Sequence, residues 1–270
     1  MLYYLFRYLD QLDVPGAGMF NYISFRSALA VITSLFISML IGKKIITWLQ
    51  VKQVGEVVRD LGLEGQYQKK GTPSMGGIII LASILIPVLL FARLDNIYIL
   101  LMILTTVWLG FIGFVDDYIK VFKKNKEGLA ARSKILGQIV LGIIIGVTFY
   151  FSRDVIIMER VPVSELTPRE RIEMLDQDRP FYGDGQVSME HKSTKTTIPF
   201  VKNNEFNYAW LVAFIPESIR KPATWLVYVL IVIFILTAVS NGANLTDGLD
   251  GLATGTSAII GTALGILAYV

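Results

Sequence analysis

The sequence predicts an all-α polytopic membrane protein. Three observations carry this reading. Charged residues are 17% and hydrophobic residues 53% of the 270, whereas soluble domains hold about a quarter charged. The charges are not thinned evenly but are missing from long runs. The basic residues, in turn, concentrate in alternate connections between those runs.

Met1–Asp13 mixes Tyr3, Tyr4, Phe6 and Tyr8 with charged and apolar residues, which suits an amphipathic segment at headgroup level. It has no small-residue cleavage pattern, so no removable signal is expected. The first span is the short run Ser27–Gly42, extended by Ile23–Arg26 with Arg26 snorkelling. Gly71–Ala92, Asn96–Val115, Ile135–Ser152, Ala223–Thr246 and Gly251–Val270 follow, each without Asp, Glu, Lys or Arg. A hydrocarbon layer of about 30 Å takes roughly 20 apolar residues as a helix. Each run is therefore one span, giving six, and a soluble helical core would not stay charge-free so often. The chain reads as a membrane part at 1–152 with loops 43–70 and 116–134, an insertion at 153–222 between spans four and five, and a second membrane part at 223–270.

Lysine and arginine in short loops set orientation. Lys43, Lys44, Lys52, Arg59, Lys69 and Lys70 follow the first span; Lys120, Lys123, Lys124, Lys126, Arg132 and Lys134 follow the third. The turn between spans two and three carries only Arg93. The N-terminus is thus expected outside, with the two basic loops cytoplasmic. Alternation brings Asn241–Asp250, after the fifth span, to that same face. The 153–222 insertion falls outside; it holds mixed charge, prolines and the turn YGDG. The single histidine, His191, lies there and reads as a solvated side chain. The absence of cysteine excludes disulfides and thiolate metal sites. A net charge of +3 gives no sign of nucleic-acid binding.

Three polar stretches therefore meet one membrane face: QKKGTPSMGG (68–77), VDDYIKVFKKNKEGLAARSK (115–134) and NGANLTDGLDG (241–251). Asp116 and Asp117 end the third span, with Lys120 four and three residues on, on the same side of a continuing helix. Alone this fits a solvated helix end; it also fits a Mg²⁺ or phosphate site, since Mg²⁺ takes one or two carboxylates plus substrate phosphates. Lys69 and Lys70 precede Pro73 and Ser74 at a helix start, where unpaired N–H groups attract anions. Asp247 and Asp250 share one face of a helical turn, and Gly248 and Gly251 let a ligand or a helix come close. Acids alone would suggest a cation path, and lysines alone an anionic lipid. Together they favour phosphoryl chemistry at a membrane surface. The rival reading is an ion-coupled transporter, which would place its charges nearer mid-membrane.

KKGTPSMGG (69–77), GFVDDYIK (113–120) and NLTDGLDGL (244–252), in this order, resemble phospho-N-acetylmuramoyl-pentapeptide transferase. This is the bacterial lipid I synthase, or translocase I, of the polyprenyl-phosphate hexose-1-phosphate transferase superfamily. The first motif favours this branch over the related N-acetylhexosamine-1-phosphate transferases. The resemblance implies transfer of a phospho-sugar from UDP-N-acetylmuramoyl-pentapeptide to undecaprenyl phosphate, with Mg²⁺, giving lipid I and UMP. It implies ten transmembrane helices, of which six are here, an inner-membrane location and often a homodimer. By position it makes Asp116 and Asp117 the catalytic, metal-binding pair. Lys69, Lys70, Ser74, Asn244, Asp247, Gly248, Leu249 and Asp250 would line the substrate site, and Lys120 and Lys134 would meet phosphates. Asp116→Asn in the full-length protein is then expected to reduce kcat by orders of magnitude with little change in folding. Ser74 stands where the family usually has threonine. The insertion is longer than expected, and Val270 falls inside the sixth span. A further acidic residue, the best metal ligand, is expected beyond it, so the chain reads as part of a longer protein.

Overall fold

A computed structural model describes residues 1–51, 75–123, 125, 127–168, 171, 185–198, 205–246 and 251–269. Packing divides the chain into Met1–Leu141 and Gly142–Val270, a division by contact rather than by polarity.

The first unit opens with α1 (Leu2–Asp10) and a short 3-10 turn, Ala17–Asn21. Helices α2 (Ile23–Val51), α3 (Gly77–Phe91) and α4 (Ile97–Phe122) follow, and α5 (Ala131–Phe151) begins in this unit. Asn96 starts α4: its side chain accepts from the N–H groups of Tyr98 and Ile99, two donors that the first turn leaves unpaired. The helices outrun the apolar runs that predicted them. Helix α2 continues past Gly42 through Lys43 and Lys44, and α4 continues past Val115 through Asp116, Asp117 and Lys120. Helix α5 begins before Lys134. Of the loops expected at 43–70 and 116–134, residues 43–51, 116–122 and 131–134 are helical instead. Hydrophobicity marks where lipid ends, not where a helix ends, because charges on the last turns pair along the helix or reach water.

Glycines set the spacing of this unit. A Cβ at Gly110 would lie 2.8 Å from the Leu81 methyls, so α4 approaches α3 closely there. At Gly137 it would lie 2.6 Å from Ile112 Cδ1, and the Trp108 indole N–H donates to the Gly137 carbonyl at 2.9 Å. Small residues permit such contacts between membrane helices. Arg26 does not snorkel as expected: it is buried, stacks on the Tyr3 ring at 4.6 Å and donates to the Phe91 carbonyl at 3.2 Å. Tyr4 exchanges hydrogen bonds with Asp95 in the α3–α4 turn. The Arg93 guanidinium and the Tyr4 hydroxyl hold the Asp95 carboxyl well below the usual carboxylate range.

Among its described residues the second unit holds the rest of α5, four short strands, α6 (Glu217–Thr246) and α7 (Leu252–Tyr269). The described residues of 153–222 include two antiparallel strand pairs: β1 (Ile157–Pro162) with β2 (Gln186–His191), and β3 (Lys195–Thr197) with β4 (Glu205–Asn207). Leu166, Val187 and Met189 make a small core against the first pair. Lys195 joins the pairs, 2.7 Å from Glu159 and 3.2 Å from Glu205. The Glu159 carboxylate beside it raises its ammonium above the usual lysine range, helped by Glu205. Helix α6 runs antiparallel to α5, since Gly142 meets Ile233 and Gly146 meets Val229. A Cβ at Gly142 would lie 2.7 Å from Ile233 Cγ1 and 3.0 Å from its Cα. Gly142→Val in the full-length protein is expected to destabilise by about 1–3 kcal/mol through overpacking. An unchanged unfolding midpoint in detergent would contradict this contact.

Among the described residues four helices, α2, α4, α5 and α6, are long and apolar enough to cross a membrane, while α3 and α7 are shorter apolar helices. Their large exposed side chains, such as Phe36, Met39, Met102, Phe111, Phe234 and Ile259, form faces that water would not tolerate but lipid would. The chain is a helical membrane protein, as its composition predicts.

Candidate functional site

Asp116 is the centre of the described site. It lies in the penultimate turn of α4 and is only 5% exposed. One carboxylate oxygen, Oδ2, pairs with Lys120 Nζ at 2.8 Å, one helical turn on. The other, Oδ1, pairs with Lys134 Nζ at 2.8 Å and accepts from the Leu129 N–H at 2.7 Å. A buried carboxylate needs such partners to stay ionised. Each ammonium has three N–H donors, so pairing with Asp116 leaves others for a second anion. Lys120 is 42% exposed at its side chain and Lys134 23%, which leaves both able to meet one.

The 123–130 connection delivers Leu129. Asn125 accepts from the Glu127 N–H through its side chain and from the Gly128 N–H through its carbonyl. Gly128 then takes φ +71°, a left-handed conformation that turns the next N–H onto Asp116. A Cβ at Gly128 would run into Asp116 Oδ1 and Lys120 Cε. Neither Gly128 nor the Leu129 N–H was singled out from the sequence. The glycine following an Asn-containing turn was the available signal.

The start of α3 reaches this helix end. Met75, buried and at φ +71°, forms a cluster with Leu49, and Ile45, Ile78 and Val121 pack against it. Met75, at the end of the predicted stretch 68–77, and Val121, within 115–134, therefore come together where α2, α3 and α4 meet. Lys69, Lys70 and Ser74 themselves lie outside the described residues. So do Asp247, Gly248, Leu249 and Asp250. In the other unit, Asn244 is exposed in the last turn of α6. Its neighbour Asn241 bonds back to the Thr237 carbonyl at 2.8 Å.

Among the described residues no three carboxylate, imidazole or thiol groups gather as a metal site. Asp116 does not fit a divalent cation, because two ammoniums and an N–H already face its oxygens. Asp117 lies about 100° further round the helix and is half-buried.

Comparison with known proteins covers the stretches that the structure leaves out. The phospho-N-acetylmuramoyl-pentapeptide-transferase signature 1 matches residues 69–81, and the glycosyl transferase family 4 model matches residues 193–270. A phospho-N-acetylmuramoyl-pentapeptide-transferase of Parabacteroides distasonis is 62% identical over 270 residues, all of this chain and 61% of that protein. That of Flavobacterium psychrophilum is 57% identical over 271 residues, covering 64% of its length. That of Bacteroides thetaiotaomicron is 53% identical over 271, covering 61%. The chain spans about three-fifths of the length of these relatives.

Proposed function

We propose that the chain belongs to the phospho-N-acetylmuramoyl-pentapeptide-transferase family, as its matches support, and that the protein containing it has that family's activity. That protein transfers phospho-N-acetylmuramoyl-pentapeptide from its UDP-linked donor to undecaprenyl phosphate, releasing UMP. It does so at the cytoplasmic face of the bacterial inner membrane, with the N-terminus outside. The observation that carries this reading is the Asp116 carboxylate holding Lys120 and Lys134 at 2.8 Å each, at the end of a membrane helix.

In this reading Asp116 aims the two ammoniums, and their remaining N–H groups receive the donor diphosphate. Such donors stabilise negative charge that grows on the phosphoryl oxygens and the leaving phosphate. The acceptor phosphate is mostly a dianion at neutral pH, since its second pKa is near 6, and needs no general base. Its oxygen forms a bond to the donor's β-phosphorus. The bond from that phosphorus to the bridging oxygen breaks, and UMP leaves with the electron pair. Asp117 is the described residue that would hold Mg²⁺, which supplies charge neutralisation on the diphosphate when bound. Lys69, Lys70, Ser74, Asn244, Asp247, Gly248, Leu249 and Asp250 are proposed to surround the donor, as the matched motifs suggest.

The purified full-length protein is expected to release UMP only when UDP-N-acetylmuramoyl-pentapeptide, undecaprenyl phosphate and Mg²⁺ are all present. Equal turnover with UDP-N-acetylglucosamine would assign it instead to the related N-acetylhexosamine branch. A phosphorylated aspartate trapped with donor alone would replace direct attack by a covalent route.

A further inference from the structure

The unit Gly142–Val270 contains a cavity of about 520 Å³ that the transferase reading does not use. Among the described residues its lining includes Lys192, Lys195, Arg220 and Lys221 and one carboxylate, that of Glu217. These cations are not equally neutralised. Lys195 is matched by Glu159 and Glu205. Lys192 donates to the Tyr150 carbonyl at 2.7 Å, and Arg220 donates to the Ala213 and Ile215 carbonyls. Neutral carbonyls orient these groups without cancelling their charge. Glu217 comes only to 3.9 Å of Arg220, and its side chain is 91% exposed. Lys192 and Lys221 are both exposed. Among the described residues the cavity lining therefore carries more positive than negative charge, from Lys192, Arg220 and Lys221 against Glu217.

Its surroundings fix the kind of anion. Trp225, in the lining, meets Tyr150 and Tyr228 edge-on, and Tyr228 meets Tyr208. Tyrosine and tryptophan gather where a membrane helix enters the headgroup layer, and here α5 ends and α6 begins. Between β4 and α6, Trp210, Leu211 and Phe214 are exposed, Phe214 by 85%. A small polar anion would not account for these apolar side chains beside a basic cavity, whereas a membrane amphiphile accounts for both.

We infer that this cavity binds the phosphate group of an anionic membrane lipid, held by Lys192, Arg220 and Lys221 while its chains lie in the apolar layer. The test uses the purified full-length protein and native mass spectrometry with dioctanoyl phosphatidic acid. The comparison is a Lys192→Ala/Lys221→Ala variant, whose exposed positions should leave its melting temperature unchanged. The variant is expected to retain one phosphatidic acid fewer per chain, which separates this cavity from any lipid-phosphate site elsewhere. Phosphatidylcholine, whose trimethylammonium offsets its phosphate, should bind the wild type at least 10-fold more weakly. The same phosphatidic acid count in variant and wild type would overturn the site. Equal binding of phosphatidylcholine, or displacement by inorganic phosphate at matching concentration, would overturn the lipid as its ligand.

Discussion

Asparagine in place of Asp116 in the full-length protein is expected to lower kcat by about 10³-fold, and to lower the melting temperature as well. Removing one preorganised donor from a developing negative charge commonly costs about 10²–10³ in kcat. Asp116 positions two such donors, Lys120 and Lys134. The sequence alone suggested that this substitution would spare folding. The structure revises that, because Asp116 is buried and its loss leaves two ammoniums facing a neutral amide. Breaking a buried ion pair costs about 3–5 kcal/mol. Lys120 is 42% exposed, so water offsets part of this and about 2–4 kcal/mol is expected. UMP release and thermal unfolding measure the two effects. A double-mutant cycle with Lys134→Met should be strongly non-additive, since each change destroys the same pair. Wild-type turnover in Asp116→Asn would contradict the role given to this residue.

Gly128→Ala is the second large effect. Alanine in the left-handed region costs about 1–2 kcal/mol, and here its Cβ would also press on Asp116 Oδ1 and Lys120 Cε. The carboxylate must then move, and the Leu129 N–H and Lys134 lose their common acceptor. At least a 10-fold fall in kcat is expected, with a lowered melting temperature. Glu127→Ala, at an exposed neighbouring position, is the control and should change neither. If Gly128→Ala matched that control, the loop would not be set by this contact.

What the sequence discloses follows from what each environment demands of single residues. Lipid forbids charge over whole runs, so α4, α5 and α6 are visible as apolar stretches without any knowledge of their neighbours. Helix ends are less visible: the spacing of Asp116 and Lys120 suggested a continuing helix, but not that it runs to Phe122. The convergence of Asp116, Lys120 and Lys134 was legible from topology and the motifs. The Gly128 turn was not, because its value depends on a carboxylate twelve positions earlier. The strands were also hidden, since Ile157–Pro162 pairs with Gln186–His191 across an intervening segment. Such pairing is a property of two segments together, and their mixed polarity gives little alternation to read.

Arg26 has a consequence for the order of events during synthesis. Its hydrogen-bond acceptor, the Phe91 carbonyl, is 65 residues later in the chain. At about 5–20 residues per second, some 3–13 s separate the emergence of the guanidinium from that of its partner. For that interval α2 enters the membrane carrying a cation whose buried acceptor has not yet been made. Only the arrival of the end of α3 lets Arg26 settle beneath Tyr3. The contact between α2 and the end of α3 therefore supplies a hydrogen-bond acceptor to a cation that the first span has carried since its own synthesis.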